Sequence, residues 1–168
     1  MRHQDIRELF DYNYWANHML LDRAENVSAE QFTAPAPHSF GSLQGTLVHT
    51  LHGERLWRLL LQGQDFWSEL RAVDFPSVAT VRQRWQEEEA AMWSYLDSLR
   101  DEDMLRIVRY EVGGGVQRER VLWHCLFHLV NHGTQHRSEA AAILTTCGQS
   151  PGDIDFTRFL NERKAQQG

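Results

Sequence analysis

The chain has 168 residues, of which 42% are hydrophobic and 24% charged, and its formal net charge is -6. This composition excludes wholesale disorder and predicts one soluble globular domain over residues 1–168. An acidic chain without a lysine-rich or arginine-rich run is not expected to bind nucleic acid. Its apolar runs are too short to span a membrane, and its N-terminus lacks the apolar segment of a secretory signal, so we expect a cytoplasmic protein.

Apolar residues at helical spacing predict four long helices and one short C-terminal helix, over residues 2–25, 42–62, 78–99, 120–146 and 155–164. Ser42 and Ser77 are the expected N-caps of the second and third helices, and Gly63 is the expected C-cap of the second. Asn13 lies in the apolar stripe of the first helix, where it is either a satisfied core amide or part of a pocket wall. Glu88 interrupts the stripe of the third helix and either pairs with a cation or reaches a functional site.

The helical pattern is lost between Leu105 and Glu119, where β-branched and aromatic residues flank three consecutive glycines. This pattern predicts a short, irregular hairpin before the last long helix. The long connection over residues 63–76 has room for a crossover between helices. The predicted fold class is therefore all-α, a four-helix bundle with a hairpin-like excursion.

Histidines recur at every fourth position of the last long helix, at His124, His128, His132 and His136. Each step of four residues advances about one turn and rotates only about 40°, so neighbours can share one metal ion but all four cannot. His132 and His136 can supply two nitrogens, and His49 can add a third from the second helix. His52 shares the face of His49 and is the alternative. Spacing alone leaves open that these are core or surface histidines, because nine histidines produce some such pairs by chance.

Three histidine ligands are typical of a catalytic metal site, because they leave one coordination position for water or substrate. A structural site more often has four protein ligands. Neutral imidazole suits zinc, nickel, copper and iron, so the ligand set does not identify the ion. We expect a divalent transition metal as cofactor, zinc or nickel first.

Three blocks of the chain carry a family resemblance. Residues 128–137, HLVNHGTQHR, match the pattern HxxNHxxxHRGQ up to its arginine. Residues 12–17, YNYWAN, match YNxWAN, and residues 42–54 contain the pattern LxHxxxxE. In this order, the blocks resemble the DinB/YfiT-like family of metal-binding helical bundles.

The resemblance implies a four-helix bundle with non-sequential up-down-down-up winding, and a divalent metal held by His49, His132 and His136. It also implies a homodimer. The family's HRGQ ends here in Ser138 and Glu139. Glu139 lies about one turn beyond His136. It can orient a ligand imidazole, hold a metal-bound water or act as a base. The alternative is that it only forms a salt bridge with an arginine. Serine in place of glycine puts the inherited dimer packing in doubt.

Some proteins that the chain resembles are metal-dependent transferases that use a low-molecular-weight thiol, such as mycothiol, bacillithiol or glutathione. The resemblance therefore implies a thiol S-transferase acting on a small-molecule substrate. A metal-dependent hydrolase is the second possibility, with Glu139 or Glu88 as its general base. The third is a non-enzymatic metal-binding protein of the stress response, since the family name records induction by DNA damage.

Overall fold

The protein is described from a computed structural model over residues 1–65, 68–112 and 114–166. Its helices and strands, in chain order, are α1 (His3–Ala24), α2 (Ala29–Thr33), α3 (Leu43–Leu61), α4 (Val78–Asp97), β1 (Ile107–Val112), β2 (Val116–Val121), α5 (Leu122–Thr146) and α6 (Phe156–Gln166). Two short 3-10 turns, Ala72–Asp74 and Asp101–Leu105, flank α4. The four predicted long helices are confirmed, and the fold is mostly helical. Within these ranges, no helix combines the length and the apolar character that crossing a membrane requires.

The predicted helix ends agree with the structure because their signals are local. The Ser42 hydroxyl accepts a hydrogen bond from the Gly45 amide at 2.9 Å, and the Ser77 hydroxyl caps α4 in the same way. Gly63 follows α3 with a φ of 68°, a backbone conformation that glycine adopts without steric cost. The predicted 63–76 crossover lies partly outside the described residues.

The segment between α4 and α5 is a regular two-stranded antiparallel sheet. Its register pairs Ile107 with Val121 at one end and Val112 with Val116 at the other. The hairpin prediction is confirmed, although Gly113 of the predicted turn lies outside the described residues. The all-α class was too narrow, because this small sheet accompanies the helices.

The four long helices surround two apolar clusters, one at each end of the bundle. α5 packs against α1 and α3, and α4 packs against the same two helices. The first cluster lies toward the hairpin and includes Ile6, Phe10, Leu61, Met92, Leu122 and Leu126. The second lies at the opposite end and includes Leu20, Leu47, Val81, Ile143 and Leu144. Along α3, α4 and α5, the buried charged and histidine side chains fall between the two clusters.

This polar layer is held together by hydrogen bonds between helices. Arg58 of α3 pairs with the fully buried Glu88 of α4 through two nitrogens, with Nη2 to Oε2 at 2.9 Å. The structure therefore assigns Glu88 to cation pairing. Asn13 is a satisfied core amide, because its Oδ1 accepts a hydrogen bond from Arg137 at 2.5 Å and its Nδ2 lies 3.4 Å from Glu54.

Candidate metal centre

Helices α3 and α5 bring the three predicted metal ligands together within the polar layer. His49 comes from the middle of α3, while His132 and His136 occupy consecutive turns of α5. One ring nitrogen from each lies within 4.8 Å of the others. The Nε2 atoms of His49 and His132 are 3.1 Å apart. Packing of α3 against α5 thus joins residues that are far apart in sequence.

These distances fit one divalent ion. Zinc-to-nitrogen bonds are about 2.0 to 2.1 Å long, so ligands around a tetrahedral ion have nitrogens roughly 3.3 Å apart. Small side-chain rotations bring the three imidazoles to that spacing. Three protein ligands leave one coordination position for a further molecule. The donor set therefore suits a metal, and its residues are the ones the family resemblance implies.

The other histidines considered from the sequence lie outside this cluster. The His128 ring packs against Trp57 with ring centroids 5.3 Å apart, and the His124 ring packs against Trp123 at 4.0 Å. His52 accepts a hydrogen bond from the Leu70 backbone amide through Nδ1, at 3.3 Å. In the part of the chain that the structure describes, the three-histidine group is the one cluster of three or more potential metal-ligating side chains.

Burial keeps two of the three imidazoles neutral. Burial first, and then the neighbouring His136, lower the pKa of His49 to about 4. The same two causes, burial first, lower the pKa of His132 to about 4. A neutral imidazole has a free nitrogen lone pair, which is the form that binds a metal ion. At neutral pH, His49 and His132 are therefore ready to act as ligands.

Glu139 orients the third imidazole. Its Oε2 lies 3.0 Å from Nδ1 of His136, and its Oε1 accepts a hydrogen bond from the Ser39 hydroxyl at 3.0 Å. Burial opposes ionisation of Glu139, but the hydrogen bonds from His136 and Ser39 outweigh it and lower the pKa of this carboxyl. The ionised carboxylate only accepts, so the proton lies on Nδ1 and leaves Nε2 of His136 free for a metal. Glu139 thus makes its hydrogen bond with a histidine and not a salt bridge with an arginine.

Sequence reasoning missed Phe40, which covers one side of the cluster. Its ring stacks on His49 with centroids 3.6 Å apart and meets His136 edge-on at 5.2 Å. Phe40 lies in the loop before α3, where no periodicity signals an inward-facing residue. Gly45 lets this loop pack closely, because a Cβ there would lie 2.1 Å from the Phe40 carbonyl oxygen.

Gly53 provides the space for His132. A Cβ at position 53 would lie 2.9 Å from Cε1 of the imidazole, which is closer than such atoms normally approach. Glycine at this position of α3 therefore lets the His132 ring lie against the helix without displacement. The sequence shows the glycine at position 53, but only the structure shows that His132 of α5 lies against it.

The fold and this cluster define a helical-bundle protein with a candidate three-histidine metal centre. The chain belongs to the DinB family, whose model matches residues 1–167. It is also similar to protein DinB of Bacillus subtilis (strain 168), with 23% identity over 166 residues that cover 95% of this chain and 96% of that protein. The family expected from the three sequence blocks is thereby confirmed.

Solved structures support the fold. A DinB-like protein from Bacillus cereus is similar with a TM-score of 0.64 and 16% identity, over 84% of this chain and 92% of that one. A conserved protein from Enterococcus faecalis has a TM-score of 0.61 and 14% identity, over 81% of this chain and 92% of that one. At these identities the likeness establishes the fold alone.

Proposed function

We propose that this DinB-family protein binds one divalent transition-metal ion through His49, His132 and His136. The observation that carries the proposal is that one nitrogen from each lies within 4.8 Å of the others. Hydrogen bonding between Glu139 and His136 adds the outer carboxylate that metal-bound histidines commonly have. The all-nitrogen ligand set favours a transition metal over magnesium or calcium, which prefer oxygen ligands, and we propose zinc or nickel as the ion.

The activity we propose is transfer of a low-molecular-weight thiol to an electrophilic small molecule. The thiol sulfur forms a bond to an electrophilic carbon, the leaving group departs with the electrons of its bond, and the thiol proton passes to solvent. A bound divalent ion with an open position lowers the pKa of a thiol and supplies it as thiolate. In this chain, Glu139 holds His136 in one orientation, and Phe40 covers one face of the His49 ring.

Hydrolysis is less well supported because neither candidate base is available. Glu88 is buried and paired with Arg58 through both of its oxygens. Both oxygens of Glu139 are also occupied, one near His136 and one by the Ser39 hydroxyl. A hydrolase needs a general base within hydrogen-bond reach of the metal-bound water, and the two candidate carboxylates already serve to pair with Arg58 and to orient His136. A non-enzymatic metal-binding role in the stress response is the remaining alternative, and the thiol-binding experiment below separates it from transfer.

Elemental analysis by plasma mass spectrometry tests the metal proposal directly. Untagged protein is purified without chelators, beside His132→Ala and the matched control His124→Ala, which alters a histidine outside the cluster. We expect nearly one transition-metal ion per chain in the wild type and the control, and a loss in His132→Ala. If reloading with zinc, nickel, manganese and iron leaves the wild type without metal, the proposal is wrong.

Thiol binding then separates transfer from a purely metal-binding role. The metal-loaded protein is titrated with glutathione, bacillithiol and mycothiol, using the metal-free protein as control. We expect saturable binding of at least one thiol, lost in His132→Ala. Metal-loaded protein that binds none of them would contradict the transferase proposal and leave metal binding intact.

For the bundle we propose the up-down-down-up winding that the family resemblance implies. Contacts between helix ends support it. His3 and Arg7 of α1 contact the C-terminal end of α4, and Asp22 of α1 pairs with Arg82 near its N-terminal end, as expected for antiparallel helices. The Arg58–Glu88 pair joins the late half of α3 to the middle of α4, in keeping with parallel packing. Pairs of cysteines introduced at the helix ends test this winding: pairs that it brings together should crosslink, and pairs at opposite ends of the bundle should not.

We also propose a cytoplasmic homodimer. The cysteines Cys125 and Cys147 are free thiols, which is typical of a reducing compartment. Phe127 exposes 43% of its surface on α5, and such an aromatic residue is suited to a contact between copies. Sedimentation velocity tests the dimer: Phe127→Glu should shift it to monomer, and a monomeric wild type would contradict it.

A further inference from the structure

A cleft of about 370 Å³ lies beside the candidate metal centre, in the size range of small-molecule pockets. It is bounded by α3, α5 and the hairpin, and its lining consists of Trp57, Tyr110, Arg120, His124, Cys125 and His128. The two histidines of the α5 ladder that do not join the metal cluster therefore line a second feature.

His128 of the cleft lining is the neighbour of His132 in the metal centre. The rings of His128 and His132 have centroids 5.9 Å apart, and the two residues lie one turn, about 6 Å, apart along α5. Trp57 contacts both His128 and Tyr110 edge-on, each at a centroid distance of 5.3 Å. His132 lies ten residues, about 15 Å, along α5 from Leu122, so a molecule that joins Arg120 to the metal centre must be long enough to span most of this distance.

Strand register gives the cleft a positive charge. Arg120 stands directly opposite Val108, and Tyr110 stands opposite Arg118, so all four side chains share one face of the hairpin. Val108 is buried in the cluster at this end of the bundle, which shows that this face is turned toward the helices. The hairpin therefore presents arginine to the cleft.

The arginine on the outer face of the hairpin is paired with a carboxylate, whereas Arg120 on the inner face has no carboxylate partner among the cleft residues. On the outer side, Arg109 Nε pairs with Glu119 Oε1 at 2.5 Å. Arg120 Nη1 instead donates to the Glu119 backbone carbonyl at 2.7 Å, which leaves its charge uncompensated by that contact. Among the described residues, no carboxylate lines the cleft. In a protein with a net charge of -6, this is a local site for an anion.

We propose that this cleft binds a small-molecule carboxylate as co-substrate, with the carboxylate at Arg120 and the apolar part of the molecule against Trp57 and Tyr110. A single guanidinium matches a single carboxylate in charge and geometry. His128 also lines the cleft. The inference rests on the proposed function in one respect: the other end of the molecule carries the thiol that reaches the metal centre.

The first experiment tests the cleft without metal. Full-length metal-free protein is titrated with phenylacetate and with phenylacetamide, its neutral analogue, by NMR chemical shift. We expect phenylacetate to bind about tenfold more tightly, because it forms a charge-assisted hydrogen bond. Arg120→Gln should abolish this preference, while Arg109→Gln, the same change on the outer face, should retain it. Equal binding of the two ligands, or equal effects of the two variants, would overturn the proposal.

The second experiment connects the cleft to the metal centre. Cobalt-loaded protein is titrated with 8-mercaptooctanoate, whose chain is long enough to span the distance from Arg120 to the metal centre, and with 8-mercaptooctan-1-ol, its uncharged analogue, and the sulfur-to-cobalt absorption band is followed. We expect 8-mercaptooctanoate to bind about tenfold more tightly, an advantage lost in Arg120→Gln although the band still appears at saturation. If the band depends on thiol concentration equally in the wild type and in Arg120→Gln, the proposal that the cleft binds a carboxylate is overturned, and the thiol proposal stands. If carboxylate binding depends on Arg120 but no absorption band appears, the result supports carboxylate binding in the cleft and contradicts the thiol proposal.

Discussion

The two faces of α3 bury polar side chains in opposite ways. Toward α4, Arg58 meets Glu88, so opposite charges compensate each other and the hydrogen bonds are made within the protein. Toward α5, His49 meets two further imidazoles, and nitrogens face nitrogens at distances as short as 3.1 Å. The first arrangement is complete, whereas the second becomes favourable when a cation lies between its members.

The difference shows how to separate structural from functional polar groups inside a bundle. A buried ion pair whose hydrogen bonds are made within the protein needs no ligand. A cluster of neutral donors with unshared lone pairs is suited to a ligand. Burial alone does not distinguish the two, because Glu88 and His136 are both almost fully buried.

The largest expected effect is on the complete face. Arg58→Met leaves the fully buried Glu88 carboxylate without its main partner, and we expect a loss of about 3 kcal/mol in the free energy of unfolding. This loss is at the low end of the range for broken buried ion pairs, because Arg84 Nη2 remains 3.8 Å from Glu88 and partly replaces Arg58. Urea denaturation measures the loss. The double variant Arg58→Met with Glu88→Leu should recover most of it, and a double variant as unstable as the single one would contradict this account.

Glu54, on the α1 side of α3, provides a pH-dependent comparison. Burial raises its pKa to about 7, although the Tyr14 hydroxyl donates to it at 2.5 Å. Between pH 4.5 and 7 the native state retains a proton that the unfolded state has lost, so this group reduces stability as pH rises. We expect Glu54→Gln to gain on the order of 2 kcal/mol relative to wild type across that window, measured by urea denaturation. A difference between the two proteins that does not change with pH would contradict the raised pKa.

Metal affinity tests the open face. Glu139→Gln weakens the hydrogen bond that orients His136, and we expect roughly a tenfold loss of zinc affinity in competition with a chelating dye. Glu89→Gln is the matched control, because Glu89 also faces a histidine, His18, at 2.8 Å but outside the cluster. Equal zinc affinity in the two variants would show that Glu139 does not support the site.

The smallest expected effect comes from Gly53→Ala. The new methyl group displaces the His132 ring by a few tenths of an ångström, so zinc affinity should fall severalfold. The free energy of unfolding should hold or rise, because alanine favours the helix by about 1 kcal/mol over glycine. His52→Ala, one residue away, should leave zinc affinity unchanged, since His52 lies outside the cluster. If His52→Ala removes the metal and Gly53→Ala does not, the ligand on α3 has been assigned wrongly.

Local sequence signals determined the helices, their caps and the hairpin. Ser42 and Ser77 cap helices through amides three residues ahead, and Gly148 ends α5 with a φ of 74°. The repeat of His132 and His136 follows from the geometry of a single helix. These features depend on neighbours within one turn, so the sequence was sufficient to predict them.

Only the tertiary structure decided which side chains meet. Glu88 and Asn13 each had two readings because their partners, Arg58 and Arg137, lie on other helices. Phe40 could not be found from periodicity, because a loop residue has none. Arg120 faces the cleft because of the strand register and the way the hairpin joins α5. Periodicity specifies the face of an element, but packing between distant elements specifies what that face contacts.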